Sequence, residues 1–279
     1  MVTGIGRDSG GLAAASVLDR ALERIRLTVI LPTLDERDNL RALVPELIAA
    51  VPQLGEIIVV DDGSTDGTRE FVRDYHHRDR RVVLIERQGA PNLTGAIQDG
   101  LDAARGELVA WMDADQSMSP ADLARLVEAV EAGADVAVGS RFSPDGGIKG
   151  QTHGGSWGRL RALGSLGNSE DSWLGVALSW LLNGALLPAL LGDGVHDYTS
   201  GFVVARADAL RPLRLRGQHG EYFIDLWMRA RRSGLRIVEV GYRIKPRTLG
   251  RSKTAEHVFD YARRGVRYLG AAITARWAS

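Results

Sequence analysis

The feature that most constrains this fold is a strand-like apolar run that occurs four times within the first 115 residues. The runs cover residues 27–31, 56–60, 81–86 and 108–112, and helical segments separate them. Short apolar runs bounded by turn residues are typical of buried strands, and their alternation with helices indicates βαβ units with right-handed crossovers. The sequence therefore predicts an α/β domain with a parallel sheet, whose functional residues lie at the carboxyl ends of the strands.

Acidic residues follow three of these runs. Glu36 comes shortly after the first run, Asp61 and Asp62 follow the second, and Asp113 and Asp115 follow the fourth. Carboxylates gathered at one edge of a sheet repel one another unless cations or hydrogen-bond donors lie between them. A nucleotide would satisfy this requirement, because one Asp can accept hydrogen bonds from the base or ribose while others hold a metal ion on the diphosphate.

Asp113 and Asp115 are the candidate metal ligands. Their spacing points both carboxylates the same way if the strand stays extended. Hard oxygen ligands suit Mg²⁺ or Mn²⁺, which proteins usually bind through one or two carboxylates together with substrate phosphates. The alternative is that one of them caps the helix expected to begin near Pro120. The acidic ends of the neighbouring strands favour the metal site.

The second half of the chain adds basic and flexible segments. A strand over residues 134–142 carries Arg141, whose guanidinium could bind a phosphate through two hydrogen bonds. Residues 143–172 are rich in Gly and Ser and are interpreted as a mobile acceptor loop or lid. A basic loop over residues 247–253 could clamp a diphosphate. An amphipathic basic helix is predicted over residues 255–277.

Residues 174–191 form a mostly apolar run of 18 residues. Asn183 and Pro188 within this run make a membrane span improbable. Two interpretations remain, a buried helix pair and a helix that lies in the lipid interface, and we favour the second.

The charge balance bounds the class of partner. Lys and Arg number 35 and Asp and Glu number 35, so no overall field indicates nucleic acid. After residue 228, however, 13 basic residues stand against three acidic ones, which suits an anionic partner or a membrane surface. The absence of Cys excludes disulfides and Cys-ligated metals and fits a reducing cytosol. Residues 1–26 show no secretory signal and are expected to precede a domain over residues 27–255, with a basic helix over 256–279.

Seven short motifs, taken in their order along the chain, resemble those of the family 2 glycosyltransferases of the GT-A fold. Within that family the chain is similar to the polyprenyl-phosphate group, of the dolichol-phosphate mannose synthase type. The motifs span about residues 27–255, and their order is more specific than any one of them. They cover residues 30–40, 58–68, 92–96, 112–115, 139–142, 197–202 and 247–253.

The resemblance implies a role for each matching residue. The nucleotide would be bound by Pro32, Thr33, Glu36, Asp61, Asp62 and Asp113. The metal ion, Mg²⁺ or Mn²⁺, would be bound by Asp113, Asp115 and Gln116. The phosphate or the acceptor would be bound by Arg141, Thr199, Ser200, Arg247, Ser252 and Lys253. Asp115, Arg141 and Arg247 would act in catalysis.

The implied fold is a single GT-A domain with a mainly parallel sheet flanked by helices, followed by the C-terminal helix. The implied reaction is inverting, metal-dependent transfer of one sugar from a nucleotide-sugar donor, of the GDP-mannose or UDP-glucose type, to a polyprenyl phosphate. It would take place peripherally at the cytoplasmic face of a membrane. The alternative is a soluble or saccharide hydroxyl acceptor, which would need a general base such as His196, His219, Glu221 or Asp225. The chain lacks the Gln-x-x-Arg-Trp motif of processive members, which indicates a single transfer.

The chain departs from the family pattern at several positions. Asp35 stands where the family usually has Asn, and Val203 stands where it usually has Arg. Gln116 precedes Ser117 after the paired aspartates, so either residue could reach the metal. Residues 152–172 correspond to an insertion close to where acceptor specificity is expected to be decided.

Overall fold

A computed structural model describes residues 25–143, 145–147, 181–192, 195–245 and 258–277, with side chains in the last range from residue 265 onward. Within these residues seven strands form one sheet, and helices connect them. The strands are β1 (Leu27–Thr33), β2 (Leu54–Asp61), β3 (Val82–Glu86), β4 (Leu108–Trp111), β5 (Val136–Ser140), β6 (Val203–Arg206) and β7 (Ile237–Gly241). The helices are α1 (Arg37–Ala50), α2 (Thr68–Arg78), α3 (Leu93–Ala103), α4 (Pro120–Glu131), α5 (Leu187–Leu191), α6 (Ala207–Leu210), α7 (Tyr222–Arg232) and α8 (Val258–Trp277), and a π-helical turn (Leu182–Leu186) leads into α5.

The strand order across the sheet is β3-β2-β1-β4-β6-β5-β7. Six strands run in the same direction, and β6 is antiparallel to both of its neighbours, β4 and β5. The mainly parallel sheet predicted from the sequence is confirmed. The reversal of β6 brings its amino-terminal end to the edge where the other six strands have their carboxyl ends.

Helices cover both faces of the sheet. The side chains of β1 alternate, so that Val29 and Leu31 face one apolar cluster and Ile30 faces the other. Helices α1, α2 and α4 contribute to the first cluster, while α3, α5, α7 and α8 contribute to the second. Gly100 allows α3 to lie directly on β1, because a Cβ at that position would overlap the side chain of Ile30.

The amino-terminal edge of the sheet is closed by a buried polar network. Glu56 is 2% exposed and accepts hydrogen bonds from Thr28 Oγ1 at 2.7 Å and from Arg105 Nε at 2.7 Å. The Thr28 hydroxyl also accepts from the backbone N–H of Gly106 at 3.0 Å. Two cavities of about 210 and 550 Å³ lie near this edge, the first beside α3 and α6. They are distant from the residues that the sequence marks as functional.

The basic helix predicted at the end of the chain is α8 in the structure, and it packs against α7 and α5. In the part of the chain that the structure describes, no helix combines the length and the apolar character needed to cross a membrane.

Candidate active site at the carboxyl edge of the sheet

The segment after β1 is bonded to the segment after β2. The backbone N–H of Asp35 donates to Ser64 Oγ at 2.8 Å, and the Asp35 carboxylate accepts from the N–H of Thr65 at 2.7 Å. The N–H of Glu36 donates to Thr68 Oγ1 at 3.1 Å. Asp35 has a φ of 50°, in the left-handed region that Asn and Asp tolerate better than other side chains. This conformation explains how Asp replaces the Asn that is usual in the family.

The structure compensates the charges of Asp61 and Asp62 with two arginines. Arg69 Nε donates to Asp61 Oδ2 at 2.5 Å, and Arg87 Nη1 donates to Asp62 Oδ1 at 2.5 Å. The other Asp62 oxygen accepts from the N–H of Asn92 at 2.5 Å. Neither arginine was singled out by the sequence analysis. Together they explain why the acidic strand ends do not repel one another.

Asp61 is completely buried. Burial raises the pKa of its carboxyl, but hydrogen bonds from Ser64, Arg69 and Gly63 outweigh this effect and hold the pKa below its usual value. Its Oδ1 atom has no hydrogen-bond partner among the described residues and therefore retains unused acceptor capacity. Close by, Thr33 at the end of β1 is also buried, and its hydroxyl donates to the carbonyl of Val60 at 3.2 Å.

Asp113 and Asp115 lie beyond the end of β4 rather than within it. The strand ends at Trp111, and the chain turns at residues 114 and 115. Asp113 is exposed, whereas Asp115 is 8% exposed. The condition under which both carboxylates would point the same way, an extended strand through both residues, is therefore not met, because the sheet ladder has ended before the pair. Asp115 Oδ1 accepts from the N–H of Ser117 at 3.0 Å, which fixes this carboxylate in the turn.

The capping alternative for this pair fails. The residue that caps α4 is Ser119, whose hydroxyl accepts from the backbone N–H of Asp122 at 3.1 Å. Pro120 follows at the first helical position, where its missing N–H costs nothing. The helix thus begins without a contribution from Asp113 or Asp115.

Gln116 connects this turn to the segment after β1. It has a φ of 65°, and its Nε2 donates to Asn39 Oδ1 at 3.1 Å. Asn39 is 3% exposed, and its own Nδ2 donates to Glu36 Oε2 at 2.6 Å. A continuous chain of hydrogen bonds therefore joins Glu36, a candidate nucleotide ligand, to the turn that carries the candidate metal ligands.

Arg141, which follows β5, is engaged by Asp197. Its Nε and Nη2 donate to the two Asp197 oxygens at 2.8 Å each, and its backbone N–H donates to Asp197 Oδ2 at 3.1 Å. Nη2 also donates to Thr199 Oγ1 at 2.7 Å, and the guanidinium lies 5.4 Å from the ring centroid of Phe142. Arg141 therefore holds the turn that carries Thr199 in place.

The carboxylate of this ion pair is fully buried, whereas 20% of the Arg141 side chain is exposed. Burial raises the pKa of Asp197, but the charge and hydrogen bonds of Arg141 lower it further, so that its pKa lies below the usual range. Burial lowers the pKa of Arg141, and Asp197 more than reverses that effect. Both groups are therefore charged in the folded protein at neutral pH.

Thr199 and Ser200 lie at this edge because β6 runs antiparallel to its neighbours. Ser200 is 2% exposed, and its hydroxyl donates to the carbonyl of Gly139 at 2.6 Å, so this hydroxyl joins β5 to the turn before β6. Thr199 Oγ1 accepts from Asn183 Nδ2 at 3.1 Å. Asn183 belongs to the π-helical turn, and its side-chain Oδ1 accepts from the N–H of Tyr198 at 2.8 Å. Local π-helical geometry is frequent at functional sites.

Glu239 on β7 holds the beginning of the same turn. Its carboxylate accepts from the backbone N–H groups of His196 and Asp197 and from His196 Nδ1, at 2.7 to 3.1 Å. The turn from residue 196 to 200 is thus bonded to β5, β7 and the π-helical turn at once.

The phenol of Tyr242 lies where the two halves of the site meet. Burial raises its pKa, the charge of Arg141 opposes the rise, and the carboxylates of Asp197, Asp113 and Asp115 add to it. The backbone gives the geometry: the N–H of Tyr242 donates to the carbonyl of Ser140 at 3.0 Å, and the N–H of Lys245 donates to the carbonyl of Ser117 at 2.9 Å. The segment after β7 therefore joins the turn with the paired aspartates to the end of β5, which Arg141 follows.

Three predicted site residues, Arg247, Ser252 and Lys253, lie outside the described residues, as does the predicted insertion at residues 152–172. The described site therefore consists of the segments after β1, β2, β4 and β5 and the turn before β6.

Comparison with known proteins identifies the family. The sequence profile of glycosyl transferase family 2 matches residues 28–214. The chain belongs to family 2 of the glycosyltransferases. It is 35% identical to the polyprenol monophosphomannose synthase of Mycolicibacterium smegmatis, over 87% of this chain and 88% of that protein. It is 33% identical to the undecaprenyl-phosphate mannosyltransferase of Micrococcus luteus, over 91% of this chain and 96% of that protein.

Solved structures show the same fold. The crystal structure of glucosyl-3-phosphoglycerate synthase from Mycobacterium tuberculosis, in complex with Mn²⁺, UDP and glucosyl-3-phosphoglycerate, superposes with a TM-score of 0.60 at 21% identity. The alignment covers 99% of this chain and 86% of that one. The glycosyltransferase described here therefore has the GT-A fold, as the sequence motifs predicted.

Sequence reasoning did not assign a role to several residues that shape this site. Asp197 stands inside the motif over residues 197–202, so a search for charge partners of Arg141 could have found it. Asn183 was marked as a polar residue inside the apolar run over residues 174–191. The signal for Arg87 was weaker. It follows β3 directly, which places it at the same edge of the sheet as Asp62. Asn39 stands inside the motif over residues 30–40, but nothing in the sequence indicated its contact with Gln116, because the two residues are 77 positions apart.

Proposed function

We propose that this glycosyltransferase transfers a single sugar, with inversion, from a nucleotide-sugar donor to a polyprenyl phosphate. The main support for the proposal is that two chemically different groups of side chains lie at the same edge of the sheet. The Asp113–Asp115 turn suits a cation on a diphosphate, and beside it the Arg141–Asp197–Thr199 cluster braces a polar turn. The relatives in Mycolicibacterium smegmatis and Micrococcus luteus, whose names state polyprenol and undecaprenyl-phosphate mannosyl transfer, support the same reaction.

The donor would lie across the ends of β1, β2 and β4. Pro32, Thr33 and Glu36 are assigned to the nucleotide pocket. Asp61 and Asp62 are assigned to the base and ribose, although both already bind arginines. The two carboxylates are therefore already held in place before a nucleotide binds, which reduces the side-chain entropy lost on binding. The donor is of the GDP-mannose or UDP-glucose type.

A divalent cation fits the residues present. Asp113 and Asp115 offer carboxylate oxygens two residues apart at the turn after β4, where the N–H of Ser117 holds Asp115. Among the described residues, no three His, Cys, Asp or Glu side chains cluster as a metal site, so two carboxylates would share the ion with donor phosphates, as is usual for Mg²⁺. Gln116 would add its amide oxygen, since its nitrogen is fixed on Asn39. When bound, Mg²⁺ or Mn²⁺ would neutralise charge on the departing nucleoside diphosphate.

The acceptor would approach from the side of Thr199 and Asn183. A lipid phosphate is an anion near neutral pH and needs no general base. Arg141 donates to Thr199 Oγ1 and contributes positive charge beside it, although the charge of Asp197 offsets much of this. The side chains of Arg247, Ser252 and Lys253 are assigned to the same phosphates.

A hydroxyl acceptor is the second candidate, and it would require a base. The structure engages three of the four base candidates elsewhere: His196 contacts Glu239, Asp225 accepts from Arg229 at 2.6 Å, and Glu221 accepts from the N–H of Gln218 at 3.1 Å. Burial raises the pKa of Glu221, but backbone hydrogen bonds lower it further, which weakens it as a base. These contacts favour the phosphate acceptor.

A polyprenyl carrier resides in a membrane, so the enzyme would work as a peripheral protein, at the cytoplasmic face where nucleotide sugars are made.

The test is a transfer assay with labelled GDP-mannose and UDP-glucose, each offered a short-chain polyprenyl phosphate or soluble sugars, with Mn²⁺, Mg²⁺ or EDTA. We expect metal-dependent transfer to the lipid phosphate with one donor, and a product whose anomeric configuration is opposite to that of the donor. Transfer to soluble sugars alone would favour the hydroxyl acceptor. Full activity in EDTA, or in the variant Asp115→Ala, would overturn the metal site.

A further inference from the structure

The large hydrophobic side chains that are strongly exposed, among the residues the structure describes, lie on two neighbouring elements only. On α8, Val266 is 69% exposed, Ile273 is 52% exposed and Trp277 is 76% exposed. On the segment that leads into α5, Leu181 is 52% exposed and Leu186 is 38% exposed. These five side chains are called the apolar surface below. Exposed apolar residues are normal when scattered singly, but a concentration of this kind marks an interaction site.

The three α8 residues form a stripe. They are spaced seven and four residues apart, so at 100° per residue they lie within about 40° of one another around the helix. Ala272 and Ala275, on the opposite side of α8, are 0% and 2% exposed and belong to the apolar cluster with α7 and α5. One face of α8 is thus packed on the enzyme, while the face with the large side chains is directed away from it.

Backbone contacts fix α8 in this orientation. Arg232 Nη2 donates to the carbonyls of Ala275 and Arg276 at 2.7 and 2.9 Å, which satisfies the end of the helix. Arg276 Nη1 in turn donates to the carbonyl of Leu190 on α5. The two elements that carry the apolar surface are therefore joined, and the surface is a fixed part of the enzyme.

The charge of α8 matches an anionic surface. Its sequence contains four arginines and one aspartate, which gives a net charge of +3. A basic helix whose exposed face is apolar and ends in Trp is typical of helices that lie in the plane of a lipid interface, and each basic residue near anionic lipid strengthens that attraction.

We propose that the apolar surface rests in the headgroup region of an anionic lipid bilayer and docks the enzyme there. The inference deepens the proposed function, on which it rests for the lipid character of the acceptor. Leu181 and Leu186 flank Asn183, which donates to Thr199 Oγ1 at 3.1 Å. The docked surface therefore adjoins the acceptor end of the site, and a phosphate at the headgroup level would need to travel only a short distance to reach Thr199.

The test is co-sedimentation of the full chain with vesicles of phosphatidylcholine, with and without phosphatidylglycerol. We expect binding that rises at least about tenfold with the anionic lipid and falls on addition of salt. The triple variant Val266→Ser/Ile273→Ser/Trp277→Ser should lose at least about tenfold in partition, because its apolar contacts with lipid are removed.

The matched control carries three serines at exposed alanines on other helices, Ala49→Ser/Ala50→Ser/Ala103→Ser. It should bind vesicles as the wild type does. A Trp277→Phe variant should still bind, but the blue shift of tryptophan emission on vesicle addition should be smaller than in the wild type.

Equal vesicle binding by the triple variant and the wild type, or no binding by the wild type, would overturn the proposal. So would a wild-type dimer that the triple variant abolishes without any vesicle binding, since a second copy would then cover the surface.

Transfer to a water-soluble short-chain polyprenyl phosphate separates this inference from the proposed function. The triple variant should retain that activity and lose activity toward long-chain acceptor in vesicles. An enzyme that binds vesicles but transfers sugar to neither acceptor would contradict the proposed function but would still support the docking surface.

Discussion

Replacing Asp197 by asparagine tests how the turn over residues 196–200 is held together. The carboxylate is fully buried and accepts from Arg141 Nε and Nη2 at 2.8 Å each, and from the N–H and hydroxyl of Thr199 at 3.2 and 3.1 Å. Asn has nearly the same shape but no charge, and its amide nitrogen would face a donor. The guanidinium of Arg141 would then be left without its counter-charge.

Removing one partner of a buried ion pair costs about 3–5 kcal/mol, because the remaining charge is uncompensated. Arg141 keeps 20% of its side chain exposed and can recover some hydration, which places the expected loss near the lower limit, about 3 kcal/mol. For a chain of 279 residues, the entropy of unfolding per residue converts this loss into a decrease of about 5 °C in Tm.

The assay is urea unfolding and calorimetry of the wild type, of Asp197→Asn and of the control Asp208→Asn. Asp208 also pairs with an arginine, Arg206, at 2.7 Å, but 69% of its side chain is exposed, so its loss should leave Tm unchanged within error. The reasoning would be refuted by an Asp197→Asn protein as stable as the control. A stable variant that has lost transfer would instead show that Asp197 acts on the reaction and not on the fold.

Four further predictions concern other parts of the molecule. Asp115→Asn should reduce transfer by at least about 100-fold and remove its response to Mn²⁺, with an unchanged circular dichroism spectrum; a retained Mn²⁺ response would exclude Asp115 as a ligand. Asn39→Ala should raise the Mn²⁺ concentration needed for half-maximal activity, because the link from Glu36 to Gln116 is cut; an unchanged Mn²⁺ titration would contradict that link. Thr28→Val should cost about 1–3 kcal/mol in urea unfolding while kcat/KM stays constant, because it leaves a buried N–H without an acceptor at the edge far from the site; a parallel loss of activity would contradict this separation. The pKa values of Asp61 and Asp197 are lower in the folded protein than in the unfolded chain. The stability that these carboxylates contribute should therefore be fully present above pH ~4 and be lost as the pH falls through their folded-state pKa values. Unfolding free energies measured from pH 7 down to pH 3 should fall less steeply in Asp197→Asn than in the wild type.

Local sequence patterns were sufficient for the sheet and for its functional edge. The apolar runs near Ile30, Ile58 and Ala110 each became a parallel strand, because a buried strand needs only a short apolar stretch and a turn signal to be recognised. The carboxyl-edge rule then correctly placed Asp61, Asp62, Asp113 and Asp115 on one side of the molecule.

Features that depend on distant partners could not be predicted. An apolar run such as Val203–Arg206 does not specify its direction, so the antiparallel placement of β6 had to come from the structure. The end of β4 at Trp111 depends on where its neighbours stop pairing, and this decided the unequal exposure of Asp113 and Asp115. The phosphate role of Arg141 stays a prediction, but the sequence alone could not show that Asp197, 56 residues later, would bind it.

The reversed strand β6 also determines where this enzyme can change without refolding. β5 ends at Ser140 and β6 begins at Val203, and both points lie at the same edge of the sheet, so the chain between them leaves the sheet and returns to it at that edge. A change of length between the bonded residues of this segment would leave the register of every strand unchanged. Under the proposed function, a change of acceptor would therefore need changes in this one segment and none in the segments after β1 and β2.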